Sequence, residues 1–265
     1  MVNSQNIRQA TIHYSVSKIA ILIPTWNNNQ YLLPCVNSIL AFTGEESHLY
    51  IVNNGDPENM KGVQPHDRIT FLQQNRNLGW EGGLKAGLSE STEEFVIFMN
   101  DDTYVPMASK TWANDMLAYF KDPKVAAVGP SSNVVMGAQS IFAPLPALDA
   151  TILKVKFLIG FCFMVRRSAL DEVGGVDDSL PGGDDFDLSI RLRKSGHELL
   201  AARDILVYHH GFKTGERVNG GPNVSGGWNS VEMTEKTNFG LMRKHGLRSW
   251  MDAMNDQVIG VYGLH

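Results

Sequence analysis

The chain of 265 residues carries 23 basic and 28 acidic side chains, a formal net charge of −5. That balance, without a Lys/Arg block, argues against a dedicated DNA or RNA binder, and 43% apolar against 19% charged residues argues against disorder, because the apolar surface can offset chain entropy. The acidic excess is local: Asp177, Asp178, Asp184, Asp185 and Asp187 occur with no Lys or Arg among them, and the rest of the chain balances.

The first eighteen residues lack the apolar stretch of a signal peptide. Ile19 to Ile23 is a continuous apolar run, as expected of a parallel strand buried on both faces, and it ends at Pro24. Tyr31 to Ala41 has helical spacing, with Leu33, Val36, Ile39 and Leu40 on one side. Leu49 to Val52 is the next strand, followed by the turn formers Asn53-Asn54-Gly55-Asp56. Ile69 to Leu72 is a third strand, Leu78 to Ser91 a helix opened by glycines, and Phe95 to Met99 a fourth strand. A helix over Trp112 to Phe120 and a strand over Val125 to Val128 come next. Val134 to Asp149 has no clear period and reads as a long loop, placed to lie over a site.

Lys156 to Val165 reads as a buried strand, Arg167 to Val173 as a short helix ending at Gly174-Gly175, and Asp185 to Ser195 as a helix. Ile205 to Tyr208 is a strand that delivers His209-His210. Gly211 to Gly227 is Gly-rich loop, and Val231 to His245 a helix. The uncharged run Val125 to Leu148 contains Pro130, Pro144 and Pro146, which rules out a spanning helix. Cys35 and Cys162 sit in apolar contexts and read as reduced core residues, not as a disulfide or a metal site. The expectation is one soluble, cytoplasmic α/β domain without an integral membrane segment or nucleic-acid partner. Its sheet is open and mostly parallel, with helices on both faces.

In such sheets ligands bind beyond the carboxyl ends of the strands. Thr25-Trp26-Asn27, Asn53 to Asp56 and Asn100-Asp101-Asp102 all fall there. The last tripeptide offers oxygen ligands for a hard cation such as Mg2+ or Mn2+. In Gly182-Gly183-Asp184-Asp185-Phe186-Asp187, one acid is expected to cap the helix, and Asp185 to point into the cleft as a general base. Asp187 and Arg191, four apart, suit an ion pair. Asp177 and Asp178 read as a solvated turn. His209-His210 offers a metal ligand or a phosphate contact, with either residue facing inward. The small residues of Asn75 to Gly83 allow close approach by a phosphate or sugar. Neither a Walker A loop nor a dinucleotide fingerprint is present. Trp26, Trp80, Phe212 and Trp228 lie near these loops and suit stacking on a sugar.

Taken in order, these segments resemble the family 2 glycosyltransferases, inverting enzymes of the GT-A fold. Ile21 to Asn27 resembles the opening strand with its Pro-Thr-aromatic-Asn end. Ile51 to Asp56 resembles the Val-Asp-Asn-x-Ser segment, and Asn75 to Gly87 the Asn-x-Gly helix start. Phe98 to Thr103 resembles the Asp-x-Asp region in its rhamnosyltransferase-like spelling. Gly160 to Gly196, followed by His209, resembles the acceptor half.

The resemblance implies a Rossmann-like single domain over 18–265, after an extension over 1–17. Residues 18–105 would bind the nucleotide-sugar, 106–246 would form the acceptor half, and 247–265 a C-terminal tail. It implies donor contacts at Pro24, Thr25, Asn27, Asn53, Asp56, Arg76, Gly79, Asn100 and Asp101. It implies a divalent cation, Mn2+ or Mg2+, on Asp102 and His209. Asp185 would be the base, with Asp184, Trp228 and His210 supporting it or the acceptor. Asn53 and Asn100 stand where the family usually has acids, and Asp184 where Glu is commoner. The implied activity transfers a sugar from a nucleoside-diphosphate sugar to a hydroxyl of a glycan, protein or small molecule. A nucleotidyltransferase with a similar sheet and a non-catalytic carbohydrate-binding protein are the alternatives. The first lacks its expected Gly-rich basic loop here.

Overall fold

A computed structural model describes residues 18–143, 151–180, 182–211 and 231–262. In chain order the elements are β1 (Ile19–Thr25), α1 (Asn29–Phe42), β2 (Ser47–Asn53), β3 (Ile69–Gln73), α2 (Gly79–Glu90), β4 (Phe95–Met99) and β5 (Thr103–Tyr104). Then come α3 (Trp112–Tyr119), β6 (Val125–Ser131), β7 (Ile152–Val155), β8 (Cys162–Arg166), α4 (Arg167–Glu172) and α5 (Asp184–Lys194). The last are β9 (Glu198–Leu206), β10 (Tyr208–His209), α6 (Val231–His245) and α7 (Leu247–Tyr262).

The main sheet runs β3-β2-β1-β4-β8-β6-β9-β7. Pairs among β3, β2, β1 and β4 are parallel, as is β6 with β9. β8 runs antiparallel to both β4 and β6, and β7 antiparallel to β9. The sheet is therefore mixed and mostly parallel, as the alternating pattern predicts. β1 is buried along its whole length. Its odd residues Ile19, Ile21 and Ile23 join the α1/α3 layer with Leu32, Ile39 and Trp112. Its even residues Ala20 and Leu22 join Leu84, Leu188 and Leu192 on the other face. This period of two across a continuous apolar run is what burial on both faces requires.

Helix α2 lies close to β1 because Gly83 and Gly87 flank Leu84 on its buried face. A Cβ on Gly83 would stand 2.8 Å from the Pro24 Cβ. Gly83 thus serves helix–sheet contact. Pro24 does not end β1; it pairs in register with Val52, and Thr25 pairs with Asn53.

The predicted strand over Lys156 to Val165 is strand only from Cys162; residues 156–161 are irregular chain between two strands. β7 stops at Val155 and β8 starts at Cys162. The intervening N–H groups of Leu158, Ile159 and Gly160 go to side-chain oxygens of Ser189, Gln139 and Asp185. An apolar run reads as strand only while its backbone groups are free for a neighbouring strand.

The loop over Val134 to Asp149 is described as far as Ala143; it contains a short 3-10 turn at Gly137–Gln139. The Gly-rich loop beyond Gly211 lies outside the described residues. The C-terminal segment carries α7, whose Ala253 is buried with Phe157, Phe186, Ile190 and Leu241 in a small core joining α5, α6 and α7. No helix among the described residues is long and apolar enough to cross a membrane. Both cysteines are buried free thiols, as their contexts predict, and burial pushes Cys35 up to about 12.

A buried arginine secures the carbonyl end of α1. Arg68 is 8% exposed. Its Nη1 donates to the Thr43 and Gly44 carbonyls at 2.8 and 2.9 Å, and its Nη2 donates to the Leu40 carbonyl at 2.9 Å. A guanidinium at the carbonyl end of α1 complements the dipole and pairs orphan acceptors. Arg68→Ala is expected to cost about 2–3 kcal/mol, read as a lower urea midpoint.

Candidate active site

The carboxyl ends of β1, β2 and β4 converge. Thr25 Oγ1 donates to Asp101 Oδ2 at 2.6 Å, and Asn28 Nδ2 donates to Asp101 Oδ1 at 2.8 Å. Asn59, which carries no motif in the sequence, connects this group to β2. Its Nδ2 donates to Thr25 Oγ1 at 3.1 Å and Asn53 Oδ1 at 2.9 Å, while its Oδ1 accepts the Asn28 N–H at 2.6 Å. Thr25, Asn28, Asn53, Asn59 and Asp101 are all buried.

Asn53 explains itself in this network. Its Nδ2 donates to the Asp56 carbonyl at 2.9 Å and to Gln73 Oε1 at 2.8 Å; its Oδ1 accepts from Asn59 and from the Gly55 N–H. Both sides of the amide are used within the protein, and a carboxylate could supply no donor. Asn53→Asp is expected to lose about 1–3 kcal/mol of stability, visible as a drop in melting temperature.

Asn27 holds a left-handed conformation, φ +47, which Asn tolerates better than most residues. Its Oδ1 accepts the Asp56 N–H at 3.0 Å, and a Cβ at Gly55 would meet that oxygen. Arg76 is exposed on the loop before α2. Gly79, φ +74, opens that helix, and its carbonyl accepts Asn54 Nδ2 at 2.9 Å.

The ribbon of β5 and β10 pairs His209 with Thr103, next to Asp102. His209 is buried and His210 exposed, because neighbours on a strand face opposite sides. The His209 Nε2 stands 3.1 Å from Asp102 Oδ1 and 3.3 Å from Asn100 Nδ2. Its Nδ1 lies 3.1 Å from the Val134 carbonyl. A carbonyl only accepts, which puts a proton on Nδ1 and leaves Nε2 facing the Asp102 carboxylate. That donor set fits a divalent cation, with the His oriented by its other nitrogen. Among the described residues no three His, Cys, Asp or Glu side chains form a complete metal cage. His210 instead packs its ring on Tyr31 and Tyr208, with centroids at 4.9 and 5.5 Å.

On the opposite rim, α5 begins after Gly183, which takes φ +77 without a side-chain cap. Neither Asp184 nor Asp185 caps the helix as the sequence suggested. Asp185 Oδ2 accepts the Gly160 N–H at 3.0 Å, and its Oδ1 the Phe186 N–H at 2.8 Å. Desolvation raises Asp185 to about 6 against these two bonds, with Glu81 adding to the rise. Desolvation, then Asp185 and Glu81, push Asp184 well above the usual carboxylate range, while Trp80 Nε1 donates to its Oδ2 at 3.1 Å. Glu81 is likewise raised by desolvation. As an ordinary first-turn acid it gave no signal in the sequence.

The rest of the acidic island is neutralised. Asp187 pairs with Arg191 Nη2 at 2.6 Å, as their spacing predicts, and with His245 Nε2 at 2.7 Å and Lys244 Nζ at 2.5 Å. Desolvation opposes ionisation of Asp187, but these partners together hold it below its ordinary value. Asp177 and Asp178 are not a simple solvated turn: Asp177 pairs with Lys244, and Asp178 with Lys85 at 2.8 Å. Among the described residues no cation pairs with Asp184 or Asp185. Trp228 and Phe212 lie outside the described residues.

Gly160 and Phe161 join the two rims. Gly160 holds Asp185, and the Phe161 ring stacks on His209 with centroids 5.4 Å apart.

Residues 20–174 match the family described as Glycosyl transferase family 2. A pre-mycofactocin glycosyltransferase of Mycobacterium tuberculosis (strain CDC 1551 / Oshkosh) is 27% identical over 206 residues, covering 72% of this chain and 42% of the relative. The chain therefore spans less than half the length of that relative. A mannosyltransferase of Pyrobaculum calidifontis, solved with GDP-Man and Mn2+, superposes with a TM-score of 0.63 at 15% identity, covering 91% of this chain and 65% of the other. GalNAc-T7, solved with UDP, GalNAc and Mn2+, gives 0.62 at 14% identity, covering 88% and 52%. These likenesses show the shared GT-A-like α/β fold.

Proposed function

The chain belongs to glycosyl transferase family 2, and from that premise we propose that it moves a sugar from a nucleoside-diphosphate sugar to an acceptor hydroxyl, with inversion. The observation that carries the reading is the short backbone link between the rims. Consecutive residues touch a desolvated carboxylate on one side and a histidine–carboxylate pair on the other.

The nucleotide belongs at the ends of β1 and β2, near Thr25, Asn27 and Asp56. Asp102 and His209, with the Asn100 side chain beside them, would hold a divalent cation. Mn2+ is the ion named with both structural neighbours. When bound, it supplies charge neutralisation for the departing diphosphate.

Asp185 takes the proton of the acceptor hydroxyl as that oxygen bonds to the anomeric carbon. The bond from that carbon to the diphosphate oxygen breaks, and its electron pair leaves with the diphosphate. A carboxyl near 6 is ionised at neutral pH, yet more basic than an ordinary Asp. The rhamnosyltransferase-like spelling at Asn100 rests on the sequence alone. It makes deoxyhexoses and hexoses on thymidine, uridine or guanosine diphosphate the donors to try first.

The test is a panel of such donors with Mn2+, followed by release of nucleoside diphosphate. Turnover of one donor, lost in Asp102→Ala, supports the reading. The reading fails if no donor is bound or hydrolysed.

A further inference from the structure

The stretch between β7 and β8 is held by a ladder of side-chain acceptors. The Leu158 N–H donates to Ser189 Oγ at 3.2 Å, the Ile159 N–H to Gln139 Oε1 at 2.7 Å and the Gly160 N–H to Asp185 Oδ2 at 3.0 Å. Asp185 and Ser189 are four apart on α5 and so share a face. The middle rung comes from elsewhere. Gln139 is 2% exposed, and its Nε2 donates to the Pro130 carbonyl at 3.0 Å, next to the end of β6.

The surroundings are shaped to hold this glutamine. A Cβ at Gly129 would stand 2.5 Å from Gln139 Nε2, so that strand position leaves room for the amide. Arg203 Nη1 donates to the Ala138 carbonyl at 2.6 Å and the Ser140 carbonyl at 3.3 Å, fixing the turn on either side of Gln139.

We infer that Gln139 is a positioning residue for the base, acting through Ile159 and Gly160 to aim the Asp185 carboxylate, with Ser189 as the second support. This rests on the assignment of Asp185 as base. Gln139 fixes the plane of the backbone next to Gly160. The Gly160 N–H then fixes one oxygen of Asp185, while the Phe186 N–H holds the other. An N–H bond favours the ionised carboxylate. Loosening the ladder therefore misaims the base and also makes it harder to ionise. Among the described residues the charged groups facing Asp185 are Asp184 on its own helix and Glu81 on α2; both favour its protonation, and the Gly160 rung opposes them together with the Phe186 and Asp185 N–H groups.

Two readouts separate aim from mere stability. In Gln139→Met, kcat for donor turnover is expected to fall by about 10-fold to 100-fold, with donor KM unchanged and the acidic limb of the pH profile displaced upward. Ser189→Ala should move both in the same direction, less far, and Ser189→Thr, which keeps the hydroxyl, should restore them. The same displacement should appear without turnover, in the 13C carboxyl titration of Asp185 in full-length protein. A folded Gln139→Met with wild-type kcat and pH limb overturns the inference. If Gln139→Met does not fold, a Ser189→Ala indistinguishable from Ser189→Thr overturns it. A wild-type protein that turns over no donor defeats the glycosyltransferase reading instead. The carboxyl titration then decides the ladder by itself, and equal midpoints in wild type and Ser189→Ala reject it.

Discussion

Asp185→Asn is expected to lower turnover by about 100-fold to 10,000-fold, the usual contribution of a positioned general base, while donor KM stays close to wild type. Among the described residues the carboxylate is held by the Gly160 and Phe186 N–H groups, apart from the proposed nucleotide residues Thr25, Asn27 and Asp56. Its loss therefore removes proton acceptance rather than donor binding. Wild-type kcat should fall as pH drops through about 6, where Asp185 takes up its proton, and the residual activity of the variant should lack that limb. The stability sign runs the other way from an ordinary ion-paired acid. A native value above 3.8 means that the folded state holds the proton longer than the unfolded chain. This group therefore makes stability decline as pH rises from about 4 to about 6. Denaturant midpoints across that window should fall less steeply in Asp185→Asn. An unchanged limb in kcat, or full activity of the variant, removes Asp185 from the chemistry.

Asp102→Asn is expected to reduce turnover at least about 100-fold and to abolish a measurable response to the ion itself. Mn2+ with nucleoside diphosphate should raise the melting temperature of the wild type. A ligand at a hundred times its Kd contributes about 2.7 kcal/mol. The variant should show little of that rise, because Asp102 supplies the carboxylate facing His209 Nε2. His209→Ala should resemble Asp102→Asn. His210→Ala should stay within a few-fold of wild type, since that ring lies on the outer side of the ribbon against Tyr31 and Tyr208. Equal thermal shifts in wild type and Asp102→Asn would show that the ion, if bound, sits elsewhere.

Strands β1, β2 and β4 of the parallel half were legible because they are buried on both faces. Ile19 to Ile23 and Phe95 to Met99 have no choice of face to hide, so composition alone marks them. The pair Asp187–Arg191 was legible for a similar reason: it depends only on helical spacing. The strand expected over Lys156 to Val165 failed where side chains far away in sequence took its backbone donors. Asn59 and Gln139 gave no sequence signal, because a buried amide matters through partners that pattern does not show.

The sequence by itself determined the order of strands and helices from β1 to β4, the polar residues at the strand ends and the presence of one acidic island. Local periodicity and turn chemistry encode these. Only the tertiary structure decided what the island does. Lys85 from α2 and Lys244 and His245 from α6 reach Asp178, Asp177 and Asp187. Asp184 and Asp185 receive no such cation among the described residues and face desolvation instead. The two groups of aspartates are alike in composition. Their difference lies in which distant charge the fold brings within a few ångströms, and Coulomb energy and desolvation depend on that distance, not on sequence separation.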